Sequence, residues 1–263
     1  MCPVRIHQSF SAEDRVDHSE SPRRHIDAVG QLGQSPCMVK LIFLCRRRPD
    51  ITHEHYAELL LRGHVPIALK HHPQLRRYTV NIVEQAPAAE APLDSIGELW
   101  FDSLDDYRTR LYDSPEGERI VQRDVAGFLA AADAYATTEY VQKDARARPL
   151  GERATGVTMF CPLRRRDGLS HAEFVRHWQT VHVPLALAHH PHMTRYVTTV
   201  VDQRLSESSP EWDGFATISF AGAADAREHL FDSPEGERIV RDDIARFIGH
   251  TFPYFVGEYV QKI

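Results

Sequence analysis

Short apolar runs and amphipathic stretches alternate along the chain, and the same order of elements occurs twice. Val39 to Cys45 is an apolar run that ends at arginines and Pro49, which predicts a strand covered on both faces. A helical period follows, then two strand-like runs, a second helical stretch and a closing strand. The pattern predicts strands over 39–45, 77–83, 96–101 and 135–142 in the first copy, and over 157–163, 195–201, 214–220 and 254–261 in the second.

Capping residues mark the starts of the predicted helices. Ser170 opens a capping-box pattern ahead of the first helix of the second copy. Ser114 and Ser233 each precede a proline and two glutamates, an arrangement suited to the positive end of a helix dipole. The apolar stripe of these longer helices runs on to Leu129 and Ile248, so we expect the helices to reach those residues.

Two prolines fall late in the first helix of each copy. Pro66 and Pro184 lack a backbone N–H, so we expect each helix to kink or restart there. His64 and His182 therefore lie beside a predicted helix break, where backbone groups are freed and a side chain can point away from regular packing.

Matched blocks at one spacing show that the chain is an internal duplication. The His64 to Pro66 segment recurs at His182 to Pro184, 118 positions later, and 113–121 recurs at 232–240, 119 positions later. The second copy thus carries one extra loop residue. The predicted organisation is a polar N-terminal arm (1–37), a first repeat (38–143), a linker (144–155) and a second repeat (156–263).

Each repeat has the predicted order β-α-β-β-α-β, which is typical of the ferredoxin-like arrangement in the α+β class. One apolar sheet face remains uncovered in each repeat. We expect the two antiparallel sheets to pack together into an intramolecular dimeric α/β barrel of eight strands. The chain is accordingly predicted to be a monomer with an internal pseudo-dimer, with further homodimerisation left open.

The composition of the chain limits the classes of binding partner and the compartment that we expect. The 263 residues carry a net charge of −6, which argues against nucleic acid because phosphate binding normally needs a basic face. No apolar run approaches the roughly 20 residues that span a bilayer, and the N-terminal stretch has no apolar signal core, so we expect a cytoplasmic protein without membrane contact. The four cysteines show no CxxC spacing, which favours reduced thiols and no metal site.

Two arginine runs, 46–48 and 164–166, stand at matching places in the two repeats. One interpretation is a solvated strand end. The other is an anion clamp at a pocket mouth, for a carboxylate or a carrier phosphate.

Several residues of the second repeat form the pattern of a known family. They are Phe174, His177, Trp178, His182 to Leu185, Pro191, Arg195, Tyr196, Asp232 to Glu235, Glu258 and Tyr259. This pattern resembles the EthD family of dimeric α/β-barrel proteins. The first repeat departs from it with Leu60 in place of Trp178 and His55 in place of Glu173.

The resemblance implies small cofactor-free enzymes of polyketide and catabolic pathways, among them decarboxylases and dehydratases. Within that framework, His182 and its counterpart His64 are the candidate catalytic bases, since imidazole exchanges protons near neutral pH. Tyr196 and Tyr78, on the following strands, are candidate donors to a developing oxyanion. For each residue, the alternative is a purely structural role as a helix cap or a packed core side chain.

Four further residues are candidates for contacting substrate. Trp178 and Trp100 are expected in the core or in a pocket wall, while His72 and His190 end helices before proline. The histidine pairs also raise a metal or haem hypothesis. Against it, the spacing fixes no carboxylate near these histidines, and the proline break disturbs the helical register between His182 and His189.

The repeated Glu139 and Glu258 have two possible roles. Either they orient a histidine, or they pair with Arg77 and Arg195 as structural bridges.

The predicted function is a cofactor-free tailoring enzyme of lyase or cyclase type in secondary metabolism or catabolism. It would use acid–base chemistry, such as dehydration, cyclisation or decarboxylation, on an apolar, polyketide-like or aromatic small molecule. Two alternatives remain open: a cofactor-free or haem-assisted monooxygenase, and a non-catalytic binding module for a pathway intermediate.

Overall fold

The computed structural model describes residues 38–88 and 92–263, so the predicted arm 1–37 lies outside the described residues. The strands are β1 (Val39–Arg47), β2 (Arg77–Gln85), β3 (Ser95–Phe101), β4 (Leu129–Asp144), β5 (Val157–Arg165), β6 (Met193–Arg204), β7 (Gly214–Phe220), β8 (Ile248–Thr251) and β9 (Tyr254–Lys262). The α-helices are α1 (His53–Glu58), α2 (Val65–His71), α3 (Leu104–Thr109), α4 (Pro115–Phe128), α5 (His171–His177), α6 (Val183–His189), α7 (Ala223–Arg227) and α8 (Pro234–Phe247). Two π-helical segments, π1 (Leu59–His64) and π2 (Trp178–His182), join α1 to α2 and α5 to α6.

The strands form one closed antiparallel barrel. The first repeat has the order β4-β1-β3-β2 and the second has β9-β5-β7-β6, the ferredoxin-like order in both. Pairing of β2 with β9 and of β4 with β6 joins the two four-stranded sheets into one continuous eight-stranded sheet. The short β8 pairs with β5 beside β9. The predicted α+β fold with an intramolecular pseudo-dimeric barrel is therefore confirmed.

Successive strand residues point to opposite sides of the barrel wall, as the two-residue period of a strand requires. Leu41 on β1 belongs to the core beneath the helices of the first repeat, whereas its neighbour Ile42 belongs to the core inside the barrel. A matching helix-covered core in the second repeat is built around Phe174 and Trp178. The described residues thus form three apolar clusters, one under each helical layer and one in the barrel interior.

The long helices end one residue earlier than the apolar stripe predicts. α4 ends at Phe128 and α8 at Phe247, and Leu129 and Ile248 are already extended, with φ near −100° and ψ above 120°. The apolar stripe continues smoothly into the first strand residue, because both residues face the same core. The prediction that these helices reach Leu129 and Ile248 was therefore wrong.

The barrel interior is apolar in one part and charged in another. Lys40, on the same side of β1 as Ile42, is 1% exposed and lies 2.6 Å from both Glu98 and Glu139. Burial alone would lower the pKa of Lys40, but the two carboxylates outweigh it and raise that pKa. Asn81 also donates to Glu98 at 2.8 Å. The lysine therefore stays charged and holds β1, β3 and β4 together from inside.

Glu258 occupies the place of Glu139 in the second repeat and has different partners. It pairs with Arg195 at 3.7 Å and with Arg146 at 3.2 Å. Arg146 comes from the segment predicted as a linker, which runs along β9 and bonds to it through Ala154 N–H at 2.8 Å. Of the two roles left open for these glutamates, the observed contacts are those of structural ion pairs.

Within residues 38–88 and 92–263, no helix has the length and apolar character needed to cross a membrane.

Two of the cysteines, Cys45 and Cys161, are free thiols. Burial raises their pKa values to about 11 and about 12, so both remain protonated at neutral pH.

The interior charge network generates a stability prediction. Lys40→Met should lower the free energy of unfolding by about 3–5 kcal/mol, because it leaves Glu98 and Glu139 buried without their cation. Urea denaturation at neutral pH measures this change.

The exposed Lys70→Met serves as the matched control and should change stability by no more than about 0.5 kcal/mol. Adding Glu98→Gln to Lys40→Met should recover part of the loss. If Lys40→Met costs no more than the control, the network does not stabilise the barrel.

Candidate functional site

Both candidate histidines end a π-helical segment. The N–H of Val183 bonds to the carbonyl of Trp178, and that of Val65 bonds to Leu60, five residues back in each case. Val183 keeps helical angles, with φ −56° and ψ −49°. The predicted restart at the proline is confirmed: α6 begins at Val183 with Pro184 in its first turn, after the π segment, while the backbone angles stay helical.

His182 lies in a buried histidine–aspartate cluster. Its Nδ1 is 3.0 Å from Oδ2 of Asp243 on α8, and Nε2 of His177 is 2.8 Å from the other carboxylate oxygen. Asp243 is 2% exposed and His182 is 8% exposed. One buried carboxylate thus holds two imidazoles that lie five residues apart, a spacing that the π segment brings onto one face.

The first repeat has a simpler version of the same arrangement. His64 Nδ1 is 2.8 Å from Oδ2 of Asp124, the counterpart of Asp243. Leu59 stands where the second repeat has His177, so Asp124 holds a single imidazole. Asp124 is also more exposed than Asp243.

The Asp243 contact determines which ring nitrogen of His182 is available. A carboxylate accepts from Nδ1–H, which leaves the lone pair of a neutral ring on Nε2. No atom in the described part of the chain hydrogen-bonds to Nε2. Burial lowers the pKa of His182, and the Asp243 hydrogen bond opposes that shift only in part. His182 is therefore neutral at pH 7, with Nε2 as a free proton acceptor.

Tyr196 lies in the helix-covered core of the second repeat. Its hydroxyl accepts a 3.1 Å hydrogen bond from Nε1 of Trp178, and burial raises its pKa. This bond leaves the phenolic proton available for donation. Tyr196 and His182 do not hydrogen-bond to each other: the Tyr196 hydroxyl contacts Trp178, and the His182 ring packs on Phe247.

Tyr78 occupies the matching place in the first repeat. It is 4% exposed and burial raises its pKa, but Leu60 stands in place of Trp178 and gives it no indole donor. Trp100 lies on the other side of the sheet, inside the barrel, with Lys40 Nζ 4.8 Å from its ring centroid. Trp178 and Trp100 therefore do not line one common pocket.

His72 and His190 anchor the ends of α2 and α6. Their Nδ1–H groups donate to the carbonyls of Leu111 at 3.0 Å and Leu230 at 2.7 Å. Burial lowers the pKa of His72 to about 4 and lowers that of His190 as well. Both are thus neutral and fixed by the backbone.

The preceding histidines, His71 and His189, have the same partner type in both repeats. Each Nδ1 lies 3.0 Å from a carboxylate, Asp113 or Asp232, next to the start of the long helix. A Cβ at Gly236 would lie 2.0 Å from Asp232 Oδ1, which explains the glycine in the repeated sequence block.

Two surface clefts lie away from these residues. One encloses about 320 Å³ beside Arg164 to Leu169, and the other about 280 Å³ beside Asp202 and Trp212. Neither is lined by His182 or Tyr196. Across the described ranges, no group of three or more histidine, cysteine, aspartate or glutamate side chains is placed to hold a metal ion.

The sequence analysis missed the aspartates that orient the histidines. Asp124 and Asp243 occupy matching positions in the duplication, as do Asp94 and Asp213, which accept from the backbone N–H groups of the middle arginines of the two runs at 2.8 and 2.7 Å. Their identity in both copies was the available signal. Helical or strand period alone does not distinguish them from surface carboxylates.

Both repeats match the model of a known domain family. The EthD domain matches residues 48–132 and again residues 166–251, which together make up more than half of the chain. The chain belongs to the EthD family. The two matches also confirm the tandem duplication in this EthD-family protein.

Two solved structures of low sequence identity share the barrel fold. A proposed monooxygenase from Fusobacterium nucleatum subsp. nucleatum ATCC 25586 superposes with a TM-score of 0.58 at 5% identity, covering 87% of this chain and 96% of that one. An anthrone oxidase-like protein superposes with a TM-score of 0.56 at 9% identity, covering 86% and 94%. An EthD family protein from Bacillus halodurans C-125 is 24% identical over 37% of this chain and 95% of its own, with a TM-score of 0.31. No curated protein matches the sequence.

The buried neutral His72 generates a pH prediction. The unfolded chain binds a proton at this histidine near pH 6.5, whereas the folded protein does so only near pH 4. Its contribution to stability is therefore complete above pH 6.5 and is lost as pH falls towards 4. When the pH falls from about 7.5 to about 4.5, the free energy of unfolding should decrease in both proteins. The decrease should be about 2 kcal/mol smaller in His72→Gln than in the parent.

Urea denaturation at the two pH values measures this difference. The exposed His55→Gln is the control and should lose as much stability on acidification as the parent protein. Parallel losses in His72→Gln and the parent would contradict the assignment of a buried neutral imidazole.

Proposed function

We propose that this EthD-family protein is a small-molecule enzyme that performs cofactor-free acid–base chemistry, with His182 as the base. The observation that carries the proposal is the buried contact of Asp243 with His182 Nδ1 at 3.0 Å. It fixes the tautomer in which Nε2 accepts a proton, and it stabilises the imidazolium that forms. Positioned bases of this kind contribute about 10²–10⁴-fold to a rate.

The proposed reaction begins with transfer of a proton from a carbon or oxygen acid to His182 Nε2. The electrons left on the substrate form an enolate or phenolate, and Tyr196 is the proposed hydrogen-bond donor to its oxygen. In a dehydration the proton then passes from Nε2 to the departing hydroxide, and in a cyclisation it returns to the product oxygen. In a decarboxylation the proton comes from the carboxyl oxygen, the C–C bond breaks to release CO2 and leave the enolate, and Nε2 returns the proton to the enolate carbon. The favoured substrate class is an apolar or aromatic β-keto compound of polyketide type.

The second repeat is the proposed working half. Its carboxylate Asp243 is more deeply buried than Asp124 and also holds His177, and Trp178 donates to Tyr196. His190 and Trp178 are the proposed substrate-side neighbours in this half. His64, Tyr78, His72 and Trp100 are the matching set in the first half, where the indole donor is missing.

The base is tested with 5-nitrobenzisoxazole, an aromatic carbon acid whose ring opens to a coloured phenoxide once a base removes its proton. We expect His182→Gln to lower kcat/KM at least about 100-fold. The matched variant His64→Gln should retain most of the parent activity. Equal rates in His182→Gln and the parent would overturn the proposal.

The pH dependence tests the role of Asp243 as a positioning residue. His182 must be neutral to act, and its pKa is lowered, so the acid limb of kcat/KM should lie below pH 6.5. Asp243→Asn removes the interaction that raises this pKa, so it should move the limb to still lower pH and reduce the plateau rate. An unchanged limb would mean that Asp243 only supports packing.

Oxygen uptake and ligand stoichiometry separate the other function classes. The solved structures described as a proposed monooxygenase and as anthrone oxidase-like share this fold, so an oxygenase is the alternative to be tested. Oxygen consumption with an anthrone as substrate would contradict the acid–base proposal. Stoichiometric binding of an aromatic β-keto compound without turnover would contradict it in favour of a binding module.

A further inference from the structure

The second arginine run lines a cleft that has no role in the proposed chemistry. Arg164, Arg165 and Arg166 border the cleft of about 320 Å³, together with Gly168 and Asp213. The two repeats carry the same arginines, so the ion pairs of the first run can be compared with those of the second.

In the first repeat, both outer arginines of the run have a carboxylate partner. Arg46 Nη1 lies 2.8 Å from Asp133 Oδ2. Arg48 makes a two-pronged contact with Asp50, with Nε 2.9 Å and Nη2 2.7 Å from its two oxygens. Both cations are therefore satisfied within the repeat.

In the second repeat, both of those carboxylates are replaced. Phe252 stands at the position of Asp133, and Gly168 at that of Asp50. Among residues 38–88 and 92–263, the Arg164 side chain has no hydrogen-bond or ion-pair partner, and the Arg166 side chain bonds only to the carbonyl of Ala245 at 3.1 Å. The two repeats thus share the arginines but differ in the acids that pair with the outer two.

The middle arginine is neutralised in both repeats and adds no free charge. Arg165 pairs with buried Asp213, and its backbone N–H donates to the same carboxylate at 2.7 Å. Of the other acids that line the cleft, Glu211 pairs with Arg204 at 3.2 Å. Asp167 and, in the neighbouring cleft, Asp202 are the remaining acids, so four arginines and four carboxylates line the two clefts. Among the described residues, Arg164 and Arg166 are the two of these arginines without a carboxylate partner.

An aromatic wall lies beside Arg164 and Arg166. The neighbouring cleft of about 280 Å³ shares Arg165, Glu211 and Asp213 with the first and is lined by Trp212. The Trp212 ring stacks on His250 at 5.9 Å and 11°, and meets Phe252 edge-on at 5.6 Å. Leu93 stands in place of Trp212 in the first repeat, so the aromatic wall is also specific to the second.

We propose that this double cleft binds an aromatic carboxylate, with Arg164 and Arg166 on the carboxylate and Trp212 against the ring. A guanidinium presents paired N–H donors that match the two oxygens of a carboxylate, and an indole face favours a flat ring. The site is separate from His182 and Asp243, which line neither cleft. Its existence therefore does not depend on the reaction proposed for that pair.

Calorimetric titration of the full chain with 2-naphthoate tests the site. We expect saturable one-to-one binding, and the double variant Arg164→Gln/Arg166→Gln should weaken it at least tenfold. Trp212→Leu, which copies the first repeat, should also weaken it several-fold. The matched control Arg46→Gln/Arg48→Gln should bind as the parent does, and 2-naphthylmethanol, which lacks the charge, should bind at least tenfold more weakly.

Three results would overturn the proposal. The first is the absence of saturable 2-naphthoate binding by the parent protein. The second is an equal loss in the Arg46→Gln/Arg48→Gln control, which would show general electrostatic attraction. The third is displacement of 2-naphthoate by inorganic phosphate at equal concentration, which would make the site a simple anion site. None of these results bears on proton abstraction by His182.

Discussion

Pairing of every sheet edge is the constraint on which the rest of the structure depends. Each ferredoxin-like repeat leaves two edge strands with unpaired backbone groups, and exposed edges invite association with other chains. Here β2 pairs with β9, and β4 pairs with β6, so each repeat satisfies the edges of the other. Closure also creates an interior, and that interior must be filled by side chains from both repeats.

The two sides of the barrel wall serve different purposes. The interior is fixed by buried ion pairs around Lys40 and Glu258, which connect strands of each repeat and the segment between them. The helix-covered side contains the histidine–aspartate cluster of the second repeat. Because a buried carboxylate costs free energy unless it is hydrogen-bonded, Asp243 holds its two histidines firmly. Rigid support from the barrel and a polar cluster under the helices together give a positioned proton acceptor.

Duplication gives the chain an internal comparison. Side chains kept in both repeats, such as the pairs His64–Asp124 and His182–Asp243, mark what the fold or an ancestral site required. Side chains changed in one repeat mark where the halves have diverged. The second repeat has Phe252 and Gly168 where the first has carboxylates, and Trp178 where the first has a leucine, and all three fall in or beside the two sites assigned to the second repeat.

Much of the fold was accessible from the sequence, because strand period and repeat spacing are local signals. The strand predicted over 214–220 was found at those residues, and the order of elements led directly to the barrel. The restart at Pro184 was predicted, but the π segment before it was not, since a π turn depends on carbonyl positions that no residue pattern reports. Repetition singled out His182 as a candidate, but its partner Asp243 lies 61 residues away, and only packing of α8 against π2 brings them together.

The central claim is that Asp243 holds His182 neutral, with its proton on Nδ1 and its lone pair on Nε2. Long-range ¹⁵N–¹H NMR of histidine-labelled protein, assigned with His182→Gln, reads the tautomer and the pKa together. We expect a proton on Nδ1 at neutral pH and a His182 pKa below 6.5. A proton on Nε2, or a His182 that remains charged above pH 6.5, would contradict it.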